Sequence, residues 1–300
     1  MQLLPCRASR CKTRHHEGDA ETQNGTRLGA FSARRQLARL LKDHRTAARK
    51  APGDFVVARI GSLSKLSRIE AGKSPVSVPD VRAMAFLYGL DEVTTAQLVQ
   101  LADHTSDSEW WEPYSAEAVV PDWFTNYMGL ESYADRLLTY QETLVPGLLQ
   151  TPAYHRAVFD SDPTADPATA ERQVELRIKR QQTAFDKRSP LHVTAVLNEA
   201  VLVREVGGPA VMVEQREHLL ELARRPHINI FVVPWTAGAH AAMKGSFSVL
   251  VYDDPDDPDV AYFETRAGGR YMQGLDQLQM YRADFDHVRD LSVLLEEYAK

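Results

Sequence analysis

Apolar side chains recur every three to four positions between residues 32 and 101, which is the spacing of one face of an α-helix. Residues that cap or stop helices divide this stretch into five short segments. The predicted helices begin after Ser32, at Asp54, after Ser62, after Ser77 and after Asp91. We therefore expect an N-terminal domain built from five short helices.

The second and third of these helices are predicted at roughly 54–60 and 63–71, with Gly61 in the turn between them. A glycine there would allow the left-handed backbone conformation that a tight turn needs. Two short helices joined in this way are typical of a helix-turn-helix. The second helix of that motif places its N-terminal end in the major groove of DNA.

Small polar and basic side chains dominate the outer side of the predicted third helix, because Leu66 and Ile69 are three apart and face inward. Lys and Arg can donate to guanine or hold phosphates, and Ser can do either. The candidate DNA contacts on this helix are Ser62, Ser64, Lys65, Ser67 and Arg68. Candidate phosphate contacts around it are Arg34, Arg35, Arg39, Lys50 and Lys73. The alternative is that these side chains form only a solvated helix face.

The string SKLSRIEAG at residues 64–72 resembles the recognition helix of Cro/repressor-like regulators, the XRE family. That family's motif carries SK, a hydrophobic residue, SR, a second hydrophobic residue and E before a glycine. The resemblance implies a DNA-binding transcriptional regulator. Two features depart from the family: Pro52 and Gly53 stand where a phosphate-contacting Gln is usual, and the turn before Ser64 is about one residue shorter.

Beyond residue 125 the pattern alternates between helical and strand-like segments. We predict strands at 191–197, 227–233, 247–252 and 260–265. We predict helices at 168–186, 210–225 and about 275–297, and two more within 129–160 that are broken at Val145-Pro146-Gly147. Together these segments indicate a mixed α/β domain with a small sheet.

Four strings in this half resemble a domain of unknown biochemical role that follows the XRE helix-turn-helix in regulators of high-GC bacteria. They are YQETLVPGLLQT (140–151), LNEAVLVREVGG (197–208), INIFVVPWTAGAH (228–240) and GSFSVLVYDD (245–254). The resemblance implies a small protein partner encoded nearby. It supplies no catalytic residues, since the family has no agreed chemistry.

Charge separates the chain into a basic front and an acidic back. Residues 1–90 hold 17 Lys/Arg and 7 Asp/Glu, whereas residues 91–300 hold 18 and 34. The front would attract a polyanion and the back would repel one. We divide the chain into a disordered tail (1–30), a helix-turn-helix domain (31–103), an acidic and aromatic connector (104–124) and a C-terminal domain (125–298).

Signals for catalysis or metal binding are weak. The sequence has no phosphate-binding loop, dinucleotide fingerprint, zinc-protease motif or nucleophile elbow. Cys6, Cys11, His15 and His16 could in principle ligate zinc, but their spacing matches no finger pattern. The aspartates of 253–259 fit a solvated hairpin tip better than a calcium loop. We expect no enzyme activity, cofactor or metal.

We therefore expect a cytoplasmic, homodimeric, sequence-specific DNA-binding regulator with no membrane span. Its C-terminal domain would sense a small molecule or bind a protein partner. Two alternatives stay open: an antitoxin-like or other interaction module, and an enzymatic C-terminal domain whose helix-turn-helix only regulates its own gene.

Overall fold

The structure is a computed structural model that describes residues 30–106, 109–117, 119–187, 189–255, 257–265 and 267–300. Apart from Ala30, the predicted disordered tail (1–30) lies outside the described residues, and so do the zinc candidates Cys6, Cys11, His15 and His16. The described chain consists of a helical N-terminal part and a mixed α/β C-terminal part. Both features of the predicted fold class are confirmed.

Five helices build the N-terminal part. They are α1 (Ala30–Ala47), α2 (Pro52–Val57), α3 (Leu63–Glu70), α4 (Val78–Tyr88) and α5 (Glu92–His104). The helices predicted to begin after Ser62, Ser77 and Asp91 do so, and the side chain of each of these residues accepts a hydrogen bond from a backbone N–H three residues later. Inward-facing residues from the five helices share one core, which includes Leu37, Phe55, Leu66, Met84 and Leu98.

Two predicted helix starts are wrong. The first helix already includes Ala30, so Ser32 lies in its first turn and does not cap it. The second begins at Pro52, because the fixed φ of proline suits the first turn of a helix. Asp54 therefore lies inside α2, where its carboxylate accepts a hydrogen bond from the Ala51 N–H at 2.8 Å.

A seven-stranded mixed sheet forms the centre of the C-terminal part, with strand order β6-β5-β4-β1-β2-β3-β7. The strands are β1 (Arg136–Gln141), β2 (His192–Asn198), β3 (Ile228–Val233), β4 (Phe247–Val251), β5 (Val260–Thr265), β6 (Gly268–Met272) and β7 (Val293–Leu294). The central strands β1, β2 and β3 are parallel, and every other pairing is antiparallel.

Helices cover both faces of this sheet. They are α6 (Glu112–Ala116), α7 (Asp122–Tyr133), α8 (Pro152–Asp160), α9 (Ala170–Phe185), α10 (Glu199–Val203), α11 (Pro209–Ala223), α12 (Leu275–Asp290) and α13 (Leu295–Tyr298). One core lies between the sheet and α7, α8 and α11, and another lies between the opposite face and α12.

The most central strand, β1, lies where a helix was predicted, and this prediction is wrong. A short strand that is buried on both faces lacks the alternation of polar and apolar residues that marks an exposed strand. Leu137 of β1 packs in the first core, and Tyr140 packs in the second. The last predicted helix (275–297) is also too long, since α12 ends at Asp290 and β7 follows.

The start of α1 packs on the C-terminal part. The ring of Phe31 stacks parallel to Tyr133 with 6.5 Å between centroids, and its backbone N–H donates to Glu109 at 2.6 Å. Arg35 forms an ion pair with Asp257 at 3.2 Å and lies over the ring of Tyr252. Helix α1 therefore belongs to the packing of both parts.

Candidate nucleic-acid interface

The turn between α2 and α3 does not have the predicted backbone conformation. A positive φ was expected at Gly61, but another residue adopts it. Arg59 has a φ of 57°, whereas Gly61 does not adopt a positive φ. Gly61 leaves room for its neighbours, since a Cβ there would lie 2.6 Å from Lys65 Cδ and 3.1 Å from a ring carbon of Phe55. The glycine lets α3 approach α2 closely, and the turn itself is closed at Arg59.

Helix α3 presents a polar side to solvent. Leu66 and Ile69 are 2% and 1% exposed, respectively, and pack in the core. Ser64, Ser67 and Arg68 are exposed with both parts of the chain present, so the acidic C-terminal part does not cover them. Residues at positions i, i+3 and i+4 lie on the same side of a helix, and these three side chains therefore form one stripe. Ser62 is exposed as well, and its side chain caps the helix.

Lys65 is held differently from its neighbours on α3. Its ammonium donates to Asp80 at 2.7 Å and to the backbone oxygen of Ile60 at 3.2 Å, and its side chain is 35% exposed. Burial alone would raise the pKa of the Asp80 carboxyl, but hydrogen bonds from Lys65 and Ser77 bring it below the usual value. Lys65 thus ties α3 to the first turn of α4. The sequence analysis missed this contact.

A second ion pair fixes α3 to α1. Arg45 donates to both carboxylate oxygens of Glu70, at 2.6 and 3.0 Å, and each side chain is 13% exposed. This hydrogen bonding to Glu70 is the main reason that the pKa of Arg45 is raised. A bidentate pair also restricts orientation. The stripe on α3 is therefore presented by a helix that is held at both ends.

The predicted phosphate contacts occupy different surroundings. Lys73 is exposed, whereas Arg39 and Lys50 are half-buried. Arg34 is half-buried and donates to the Ala30 carbonyl at 3.2 Å. Arg35 is in contact with the C-terminal part, through Asp257, Pro258 and Tyr252. Its guanidinium is already paired in this arrangement of the chain.

Two family comparisons bear on these regions. The model of a domain of unknown function (DUF5753) matches residues 124–297, which is more than half of the chain. The chain belongs to this family. The DUF5753 domain includes the whole sheet and all but the first residues of α7. A second model, described as a helix-turn-helix domain, matches residues 36–98 and includes α2 and α3. No curated protein and no solved structure matches the chain.

In the described part of the chain, no three His, Cys, Asp or Glu side chains form a group that could hold a metal ion. Nor does any described helix combine the length and the apolar character that crossing a membrane requires. In the predicted hairpin tip before the DUF5753 strand β5, Asp257 pairs with Arg35 and Asp259 pairs with Arg282.

Proposed function

We propose that this protein is a sequence-specific DNA-binding transcriptional regulator of the XRE type, with α3 as its recognition helix. The observation that carries the proposal is the exposed stripe of Ser64, Ser67 and Arg68 on a helix whose other side is buried, inside a matched helix-turn-helix domain. Small side chains let a helix approach base edges closely, and an arginine can donate to guanine.

The surroundings of each basic residue suggest its role. Arg68 is exposed and is proposed to contact a base or a phosphate, and Arg34, Arg39, Lys50 and Lys73 are proposed as phosphate contacts. Lys65 acts mainly as a positioning residue, through its ion pair with Asp80. Arg35 is left out of the phosphate contacts, because its guanidinium contacts the C-terminal domain.

The proposal includes a homodimer, because one helix-turn-helix spans only a half-site. It assigns no catalytic step to either domain and places the protein with the DNA, in the cytoplasm. The DUF5753 domain is proposed to regulate DNA binding, either by sensing a small molecule or by binding a small protein encoded nearby.

Selection of bound duplexes from a randomised pool tests the proposal without a known operator. We expect the native chain to enrich a symmetric sequence. The double variant Lys65→Ala with Arg68→Ala should lose this enrichment while its circular dichroism spectrum and melting temperature stay close to native values. Loss of a bidentate base contact costs about 1–3 kcal/mol, which is roughly a 10–100-fold loss of affinity.

The matched control is Lys179→Ala with Arg224→Ala, which removes two exposed charges from the DUF5753 domain. This control should select the same sequence as the native chain. Equal enrichment by the α3 double variant, or no enrichment by the native chain, would contradict the proposal.

A further inference from the structure

A large open cleft lies between the sheet and α9 in the DUF5753 domain. Its volume is about 1360 Å³. The loop that follows β1 lines one side, from Glu142 to Gln150, and the segment that leads into β4 lines another. In parallel sheets, ligands bind beyond the carboxyl ends of the strands, and this cleft begins at the carboxyl end of β1. The string YQETLVPGLLQT therefore contributes to its wall.

The floor of the cleft is polar where a sheet face is expected to be apolar. Thr139 and Ser248 come from the neighbouring strands β1 and β4, and their hydroxyls lie 2.9 Å apart. The side chain of Gln141 donates to Thr139 Oγ1 at 3.0 Å. Thr139 and Ser248 are only 1% and 6% exposed. The two hydroxyls are satisfied within the strip, since Thr139 Oγ1 also lies 3.3 Å from the Phe247 carbonyl oxygen, and the half-buried Gln141 is the most exposed of the three residues.

Two arginines of α9 lie on the opposite wall, and within the described part of the chain only one of them has a carboxylate partner. Arg180 donates to both oxygens of Glu131, at 2.5 and 2.6 Å. For Arg177, no carboxylate oxygen of the described residues lies within 4.0 Å. Its hydrogen-bond partner is His155 Nδ1, at 3.2 Å. Burial lowers the pKa of Arg177 to about 9, and the nearby charge of Arg180 adds to the effect. Arg177 is still a cation at neutral pH.

The loop before α8 is shaped around this unpaired cation. Gly147 contacts the guanidinium of Arg177 so closely that a Cβ at this position would overlap it. The glycine of the VPGLLQ string therefore admits the cation to the wall of the cleft. Arg177 is half-buried, and a partly desolvated cation without a carboxylate partner among the described residues costs stability that a bound anion would offset.

We propose that this cleft binds a small organic anion, with its carboxylate or similar acidic group against Arg177 and an apolar body against the aromatic lining. The lining includes Phe124, Tyr127, Phe159 and Tyr262, which suits an apolar or aromatic body. The half-buried Gln141 side chain offers a hydrogen bond to a polar substituent. This inference goes beyond DNA binding and does not depend on it.

Glu264 provides an internal test of the electrostatics. It lines the same cleft, at the end of β5, and lies more than 4.0 Å from Arg177. Partial desolvation raises the pKa of its carboxyl, and the guanidinium groups of Arg180 and Arg177 act in the opposite direction. A carboxylate at this place repels an incoming anion. Removing its charge should therefore strengthen anion binding.

The experiment compares naphthoate with its neutral isostere naphthamide, by isothermal titration calorimetry on the full chain. We expect naphthoate to bind more tightly than naphthamide. Arg177→Gln should weaken naphthoate binding at least tenfold and leave naphthamide binding unchanged. Glu264→Gln should strengthen naphthoate binding several-fold. Lys179→Gln is the matched control, because it removes an exposed charge from the same helix outside the cleft, and it should have no effect.

Two further measurements support the calorimetry: the melting temperature of the Arg177→Gln variant and competition by inorganic phosphate. The melting temperature of ligand-free Arg177→Gln should equal or exceed that of the native chain, since no ion pair is lost. If this variant does not fold, the Glu264→Gln result decides alone. Inorganic phosphate should compete weakly, which separates an organic anion from a bare one. The proposal is overturned if the native chain binds neither compound, if it prefers naphthamide, or if naphthoate binds equally well to the native chain, Arg177→Gln and Glu264→Gln.

Discussion

The outer side of α3 and the cleft beside α9 both display basic side chains, but in opposite surroundings. On α3, Arg68 is exposed on a convex helix, with small serines around it. In the cleft, Arg177 lies in a concave wall, and burial lowers its pKa. An exposed charge attracts a polyanion over a distance and is weakened by salt, whereas a desolvated charge acts at short range and is screened much less.

This difference teaches that net charge alone does not identify the partner of a basic side chain. Two properties distinguish a surface that binds a duplex from a site that binds a small anion. They are the shape of the protein around the charged group and the hydration of that group. Three changes probe the comparison through stability, in order of decreasing expected effect.

The largest effect is expected for Glu131→Gln, which removes the carboxylate partner of the cleft-lining Arg180. Glu131 and Arg180 are 3% and 8% exposed, and the substitution leaves the arginine buried without its carboxylate. Breaking such a pair from one side costs about 3–5 kcal/mol of unfolding free energy. Urea denaturation measures the loss. Glu175→Gln, in an exposed pair with Arg172, should change stability little. Similar values for the two variants would show that the cleft wall is hydrated like a surface.

The next effect is a pH dependence that originates at His155. Burial, together with the charge of Arg177, lowers the pKa of His155 to about 3. Below about pH 6.5 the unfolded chain therefore binds a proton that the folded chain refuses, and stability falls by about 1.4 kcal/mol per pH unit. This amounts to roughly 2 kcal/mol between pH 6.5 and 5.

Urea denaturation at several pH values, for the native chain and for His155→Gln, measures this contribution. In the variant, the unfolding free energy should fall less steeply as the pH falls below 6.5, because the contribution of His155 is missing. The other histidines contribute equally to both proteins. Parallel slopes would mean that His155 takes up its proton in the folded chain.

The smallest effect is expected at the helix-turn-helix. A double-mutant cycle with Lys65→Met and Asp80→Asn should give a coupling of about 0.5–1 kcal/mol, because the pair is partly exposed. The folded-state pKa of Asp80 is lowered, so this stabilisation is present at neutral pH and is lost as the pH falls through that value. If the cycle shows no coupling between Lys65 and Asp80 at neutral pH, Lys65 does not position α3.

Features that depend on neighbouring residues could be predicted from the sequence. The caps at Ser62, Ser77 and Asp91 are set by hydrogen bonds to N–H groups three residues away. The inward direction of Leu66 and Ile69 also follows from helical spacing alone. These local signals were enough to predict all five N-terminal helices and the exposed stripe on α3.

Features that depend on distant partners could not be predicted. Strand β1 is defined by its pairing with β2 and β4, which lie far along the chain, and its own residues do not distinguish a strand from a helix. The cleft combines Thr139, Gly147, Arg177 and Ser248, from four separate elements. That Arg177 has no carboxylate partner among the described residues becomes visible only when the whole wall is assembled.

The packing of α1 has a practical consequence for dissecting the protein. The helix-turn-helix match begins at residue 36, but α1 begins at Ala30, and Phe31 at its start stacks on Tyr133. Ala30 and Ala33 are 1% and 0% exposed in the full chain. A fragment that ends after α5 would leave this apolar tip in water, where it would favour self-association. A chain that contains both the helix-turn-helix and the DUF5753 domain is therefore the proper material for measuring affinity for DNA.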